Sequence, residues 1–291
     1  MHELARQATS FLFVPATRPE RLAKALDSGC DMVIADWEDA VAPADKTAAR
    51  DALAQAVAAL PGPARARILV RINAEGTPWH EGDLQALAAL VAQGVAGAVV
   101  SKAERAQTLH AVAQAAGAQA ALLPLVESVA GLDAADALAV APQVVRLAFG
   151  HLDFQVDAGM ACDSEGTEDE LLPIRMALVL ASRRAGLGAP VDGVTVDTRN
   201  PERMARDAAR ARRMGFGGKL CIHPAQVAVL HAAFDPDAAA VAQARRVQQA
   251  LQDAGGGVCV LDGRMVDAPV LQQALQTLAR HAWAQGRIAG G

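Results

Sequence analysis

The chain contains no tyrosine, and phenylalanine and tryptophan together make up only 3% of it. A tyrosine acid, base or nucleophile is therefore excluded, and alanine-rich helices must cover much of the core. There is no long lysine or arginine run and the formal net charge is a modest −5, so no polyanion-binding surface is indicated and nucleic acid is not an expected partner. No apolar run approaches the ~20 residues needed to span a bilayer, and the opening MHELARQATS lacks the apolar stretch of a signal peptide. The expectation is a soluble, cytoplasmic protein with no membrane partner. The cysteines, Cys30, Cys162, Cys221 and Cys259, are widely spaced and form no C-x-x-C pair. That argues against a structural zinc site or a thioredoxin-like motif and fits scattered thiols in a reducing compartment.

What the sequence does contain is a rhythm. Its 291 residues, 52% hydrophobic and 20% charged, suffice for one large domain. Eight short apolar runs recur: FLFVPA (11–16), DMVIAD (31–36), RILVRIN (67–73), GAVVSKA (97–103), ALLPLVES (121–128), VVRLAFG (144–150), VDGVTV (191–196) and GKLCIHP (218–224). Helical stretches such as PERLAKALDSG (19–29), LQALAALVAQG (84–94) and PERMARDAARARRMG (201–215) lie between them, each ending in glycine, as a helix C-terminus prefers. Eight successive βα units specify an α/β fold of the (β/α)8 TIM-barrel type, although a doubly wound sheet accommodates the same alternation. The barrel is expected over residues 1–233. Residues 234–291, with a helix at 237–253, a glycine-rich hairpin region at 254–271 and a last helix, form a C-terminal arm that could serve as a lid, an oligomer contact or both.

In such barrels the active site lies at the C-terminal ends of the strands. Those positions carry Asp36, Glu38 and Asp39 after the second run, Arg71 and Asn73 on the third, Lys102 on the fourth and Glu127 on the fifth. The sixth ends in His151 and Asp153, and the eighth in His223. Glu127 and Asp153, one βα unit apart, can converge on a single ion, and two carboxylates completed by water and a chelating substrate suit octahedral Mg²⁺ or Mn²⁺. They can equally cap the helices that follow them. Arg71 offers a planar fork for a substrate carboxylate or an ion-pair partner for Glu38 or Asp39. Arg18, in ATRPER, could meet a phosphate or stand in solvent at a helix start, and His223 could be a base or a structural hydrogen-bonding group.

In order along the chain, FLFVPATRPERLAKAL, DWEDAVAPADKTAAR, VRIN, LLPLVES, LAFGHLDF, GFGGKLCIHPAQV and GRMVDAPVLQQA resemble the citrate lyase beta-subunit-like family of the HpcH/HpaI aldolase superfamily. The resemblance covers essentially the whole chain. It implies a Mg²⁺-dependent carbon–carbon lyase, or its reverse, acting on 3-hydroxyacyl-CoA thioesters such as citramalyl-, malyl- or citryl-CoA, with an acyl-CoA and a small keto acid as partners. It further implies that Glu127 and Asp153 hold the ion, Mg²⁺ or alternatively Mn²⁺, and that Arg71 binds the substrate carboxylate. Asp267 of VDAP, otherwise a turn residue, would reach a neighbouring subunit's site as acid or base, which implies a homotrimer or hexamer.

Two departures stand out: Trp37 in ADWEDA replaces a small aliphatic residue, and GHLDFQVDAGM is not the commonest form of the strand-six motif. Asp39 occupies the place where the pyruvate-aldolase branch typically carries histidine, which favours the lyase branch. The expected catalytic set is thus Asp267, Arg71 and Asp39. The expected substrate-binding set is Arg71, Glu127, Arg18 and the backbone around Gly150, whose N–H groups through Asp153 would help hold the carboxylate. Glu38 and Asp39 are expected to orient metal-bound water while facing Arg71 or Lys46, and Asp36 is expected to be structural. The alternatives are a metal-dependent class II aldolase on free hydroxy keto acids, or a citrate lyase beta subunit active only with an acyl carrier partner.

Overall fold

The computed structural model describes residues 2–161 and 167–289; Cys162 lies outside them. Eight parallel strands close into a barrel: β1 (Ser10–Pro15), β2 (Met32–Asp36), β3 (Ile68–Ile72), β4 (Gly97–Val100), β5 (Ala121–Val126), β6 (Ala148–Phe149), β7 (Val191–Asp192) and β8 (Gly218–Cys221). Helices alternate with the strands, as the rhythm of the sequence requires. The architecture is the (β/α)8 barrel, and the doubly wound sheet is excluded by closure between β1 and β8.

The two-residue period of a strand decides what faces inward. Phe11, Met32, Ile34, Leu69, Val99, Leu123, Leu125, Ala148, Val191 and Leu220 belong to one buried cluster. Stepping two residues further along the same faces gives Asp36 after Ile34, Arg71 after Leu69 and Glu127 after Leu125. The interior is apolar through its depth and charged at its C-terminal layer.

Two strands are shorter than the apolar runs suggest. The run 144–150 pairs regularly only at Ala148–Phe149, with an isolated bridge between Leu122 and Val144. The interruption falls at Arg146, which is 1% exposed and turns its guanidinium onto the carbonyls of Ala8, Ala189 and Pro190. The run 191–196 stops after Asp192. The next carbonyl, of Gly193, accepts from the Lys219 ammonium instead of a neighbouring strand.

The chain divides into two compact units, Met1–Ala233 and Phe234–Gly291. The second unit pairs helices Ala238–Asp253 and Ala268–Ala289 with an antiparallel hairpin, β9 (Cys259–Leu261) and β10 (Arg264–Val266). The hairpin turns at Asp262 and Gly263, both with positive φ (52° and 73°), the conformation an Asp-Gly pair adopts readily. Ala244, Val247, Leu251, Val266 and Ala274 form this unit's own core. Asp267 accepts the Val270 N–H at 3.2 Å, at the start of the last helix. Among the described residues, no helix is long and apolar enough to cross a membrane.

Candidate active site

Asp36 and Arg71 are register neighbours on adjacent parallel strands, so their inward side chains meet. The Arg71 Nε and Nη2 donate to Asp36 Oδ1 and Oδ2 at 2.7 and 2.6 Å. The Glu38 and Ala40 N–H groups donate to the same two oxygens. Asp36 thus holds the fork of Arg71 and the following loop together, and the fork's paired edge is not turned to an incoming carboxylate. The remaining nitrogen, Nη1, lies 2.9 Å from Glu38 Oε2 and 3.0 Å from Asp39 Oδ2. All three carboxylates of the cluster therefore converge on one guanidinium, which stacks 4.9 Å from the Phe13 ring.

Lys46 supports the same loop. Its ammonium is buried and donates to the carbonyls of Trp37 and Glu38 and to Asn73 Oδ1 at 2.6–2.8 Å. Burial lowers its pKa, opposed by Asp36. Lys46 thus bonds the Glu38 carbonyl and leaves the Glu38 carboxylate to Arg71. Burial raises the Glu38 carboxyl, with Arg71 pulling the other way.

Glu127 is 3% exposed. Its Oε1 accepts the N–H of Lys102 at 2.7 Å, and Lys102 adopts a left-handed backbone (φ 43°). It is the amide of Lys102, rather than its exposed ammonium, that contacts the site. Gly150 approaches Glu127 from the other side. A Cβ at Gly150 would stand 2.6 Å from both Cβ and Oε2 of Glu127, so glycine is needed here for space. The Gly150 N–H donates to the Val126 carbonyl at 2.9 Å and is therefore not a free anion donor. Burial, followed by the charge of Glu38, pushes the Glu127 carboxyl up to about 8, with Asp153 adding to the rise and the Lys102 amide opposing it.

Asp153, in the first turn of the helix His151–Asp157, stands exposed at the rim. Among the described residues, no three His, Cys, Asp or Glu side chains group closely enough to hold a metal. Glu127 and Asp153 face the same cavity as a pair, a cavity of about 400 Å³ that Asp36, Asp39, Arg71 and His151 also line. Their donor chemistry fits a hard divalent cation that keeps several ligands for water or substrate. Burial and the neighbouring acids disfavour the ionised form of Glu127, and a bound cation would favour it.

Two expected residues of the barrel make other contacts, and a third belongs to the second unit. Arg18 is exposed and paired with Glu20 at 2.6 Å. His223 is exposed, and its Nδ1 accepts the Ala225 N–H at 3.2 Å, the local structural bond rather than a contact in the cavity. Asp267 belongs to the second unit.

Sequence reasoning did not foresee a buried ionic cluster behind β7. Asp192 is fully buried, with Oδ1 2.8 Å from Arg175 Nε and Oδ2 3.6 Å from the Lys219 ammonium. Glu168 Oε2 joins it through Arg175 and Arg210 at 2.8 and 2.9 Å. Arg175 in the otherwise apolar LPIRMALVLA was the one available signal. His151 lies against this cluster. Burial, then Lys219, push its imidazole down to about 4, with Asp192 opposing.

Comparison with known proteins gives this cavity a context. Residues 9–224 match the model of the HpcH/HpaI aldolase/citrate lyase family. The chain is 35% identical over 285 residues to a citrate lyase subunit beta-like protein of Deinococcus radiodurans, covering 94% of this chain and 97% of that one. It is 34% identical over 284 residues to a (3S)-malyl-CoA thioesterase of Cereibacter sphaeroides, covering 95% and 96%. The crystal structure of CitE from Mycobacterium tuberculosis, in complex with magnesium, acetoacetate and coenzyme A, superposes with a TM-score of 0.80 at 35% identity, covering 95% of this chain and 99% of that one. The order of the motifs, the closed barrel and these likenesses lead to one conclusion: the chain belongs to the HpcH/HpaI aldolase/citrate lyase family, as a lyase of its citrate lyase beta-like group.

Proposed function

We propose that the protein is a Mg²⁺-dependent lyase that cleaves, or forms, the C–C bond of a 3-hydroxyacyl-CoA thioester such as citramalyl-, malyl- or citryl-CoA. The observation that carries this reading is the cavity itself. A buried carboxylate with its pKa raised, Glu127, faces a second acid, Asp153, beside a guanidinium already ringed by three carboxylates. The likeness to a solved relative holding magnesium, acetoacetate and coenzyme A supports the choice of ion and substrate class.

Glu127 and Asp153 would hold the ion, which when bound would supply Lewis-acid polarisation of the substrate's hydroxyl or keto oxygen. Arg71 receives the keto-acid carboxylate through the ends of its two Nη groups, because its Nε edge is committed to Asp36. Lys102 and Gly150 fix the Glu127 carboxylate from either side. Asp36, Asp39 and Lys46 keep Arg71 and the loop in place. Asp267 of a neighbouring subunit in a trimer or hexamer is the candidate base for the hydroxyl proton.

The test is direct. With malyl- or citramalyl-CoA, the purified protein should release a keto acid and acyl-CoA only when Mg²⁺ is present. Glu127→Gln and Asp153→Asn should each remove both the turnover and the Mg²⁺-induced rise in Tm; unchanged Mg²⁺ stabilisation in either variant would refute the assignment. The likeness to a malyl-CoA thioesterase favours a second reading, hydrolysis of the C–S bond. Free CoA thiol appearing without keto acid would establish it. Activity on free 4-hydroxy-2-keto acids alone would instead indicate an aldolase, and turnover that requires an acyl carrier protein would indicate a citrate lyase subunit.

A further inference from the structure

His151 is 5% exposed and lines two cavities at once, that of Glu127 and Asp153 and a neighbouring one of about 220 Å³ bounded by Thr195, Arg203 and the carboxylates of Glu168, Asp197 and Asp207. Among the described residues, neither ring nitrogen has a hydrogen-bond partner. Gly193 shows how closely the ring is fitted: a Cβ there would stand 2.2 Å from His151 Nδ1. The nearby Gly193 carbonyl is taken by Lys219, and the other face of the ring meets Phe149 at 6.1 Å between centroids. A ring this confined, with no protein group bonded to it, can bond instead to a molecule in the cavity it lines.

The charges around the cavity indicate what completes it. Asp36, Glu38, Asp39, Glu127 and Asp153 lie on the β2–β6 side and call for cations. His151 stands at the edge of the Arg175, Lys219 and Arg210 cluster, whose members share Asp192 and Glu168. Facing the cavity, the ring offers an N–H to an acceptor oxygen of a bound molecule.

We propose that His151 is a catalytic hydrogen-bond donor to the thioester carbonyl oxygen of the substrate, the atom on which enolate charge develops. The inference rests on the lyase reading above. In the cleavage direction the hydroxyl proton passes to the base, the C–O bond becomes C=O, and the C–C bond breaks. Its electron pair forms the C=C bond of the enolate, leaving the negative charge on the thioester oxygen. Protonation at carbon then gives the acyl-CoA. The imidazole donates one hydrogen bond to that oxygen throughout and exchanges no proton.

The test uses the full-length protein with ¹³C-carbonyl acetyl-CoA, Mg²⁺ and pyruvate, followed by difference infrared spectroscopy. The thioester carbonyl band should move to lower frequency on binding to the wild type and should not move with His151→Phe. That variant should lose about 100-fold in kcat, the usual effect of removing one oxyanion donor, while retaining the Mg²⁺-induced rise in Tm. His151→Gln, which keeps a donor, should recover part of both the band shift and the rate, and it serves as the readout where the Phe variant does not fold. A band shift identical in wild type and variant, or a His151→Phe turnover within threefold of wild type, would overturn the proposal. Failure of the lyase reading is separate: it would appear as a wild type that never produces keto acid from a CoA thioester.

Discussion

Replacing Asp36 with asparagine tests whether the Arg71 clamp is built as described. The carboxylate accepts four hydrogen bonds, two from Arg71 at 2.7 and 2.6 Å and two from the amides of Glu38 and Ala40 at 2.9 and 3.2 Å. Asparagine keeps one acceptor oxygen and presents an NH₂ group to donors on the other side. Breaking a buried ion pair by removing one partner costs about 3–5 kcal/mol. Arg71 keeps Glu38 and Asp39 within 3.0 Å, which places the cost near the lower end, at about 3 kcal/mol. With a denaturant slope of about 3 kcal/mol/M for a unit of this size, the urea midpoint should fall by about 1 M. Trp37 and Trp79 report on the barrel once Trp283 of the second unit is replaced by phenylalanine. Pyruvate binding in the presence of Mg²⁺ should weaken at least tenfold in the same variant, because the guanidinium loses the anchor that sets its direction. A midpoint shift below about 0.3 M, or unchanged pyruvate affinity, would refute the argument.

Gly150→Ala should leave the barrel folded but weaken Mg²⁺ binding by about tenfold or more, since the new methyl meets Glu127 at 2.6 Å; titration calorimetry reads this directly, and unaltered affinity would count against the close approach. Gly193→Ala should cost about 1–3 kcal/mol by overpacking, and much of that cost should vanish in a His151→Ala background, so additive losses would show that the two residues do not press on each other. Burial pushes the Asp192 carboxyl up, but Lys219 and Arg175 outweigh it and hold it well below the usual carboxylate range. A carboxyl depressed in the folded state stabilises above its unfolded pKa of about 3.9 and loses that contribution as pH falls below it. Asp192→Asn should therefore lower Tm at pH 7 and flatten the fall in Tm between about pH 4 and pH 2; an acid limb as steep as that of the wild type would disprove the linkage.

The barrel was legible because period-two apolar runs and helical stretches alternate without a break, and closure of eight such units leaves little topological choice. Position along each run also placed Arg71 and Glu127 at the C-terminal ends of their strands. The pairing inside the mouth was less legible. Arg71 meets the expected partners Glu38 and Asp39, but strand register also puts Asp36 directly beside it, and register is a property of two strands that neither displays alone. The shortening of β6 has the same origin: Arg146 reads as one polar residue in an apolar run, and only the folded chain shows four carbonyls waiting for it. The ionic cluster of Arg175, Asp192, Lys219 and Glu168 joins residues from four separate segments, so no local pattern announces it.

Arg175 and Lys219 stand apart from the acids that line the mouth, and the electrostatics give a reason. On the β2–β6 side three of the five carboxylates pair with one guanidinium, and Glu127, buried and without a cationic partner, has its ionised form disfavoured. Placing Arg175 or Lys219 there would neutralise Glu127 and remove the reason for a divalent ion to bind. Both are instead held on the far side by Asp192, where their field falls on His151 and on whatever oxygen occupies the space beside it. A substrate that carries a chelating hydroxy acid at one end and a carbonyl that becomes an enolate at the other has this same polarity. The separation should therefore respond to charge reversal: Asp192→Lys should abolish turnover while leaving Mg²⁺ binding by Glu127 and Asp153 intact in any variant that folds. Loss of Mg²⁺ binding in a folded Asp192→Lys protein would show that the two halves of the mouth are not electrostatically independent.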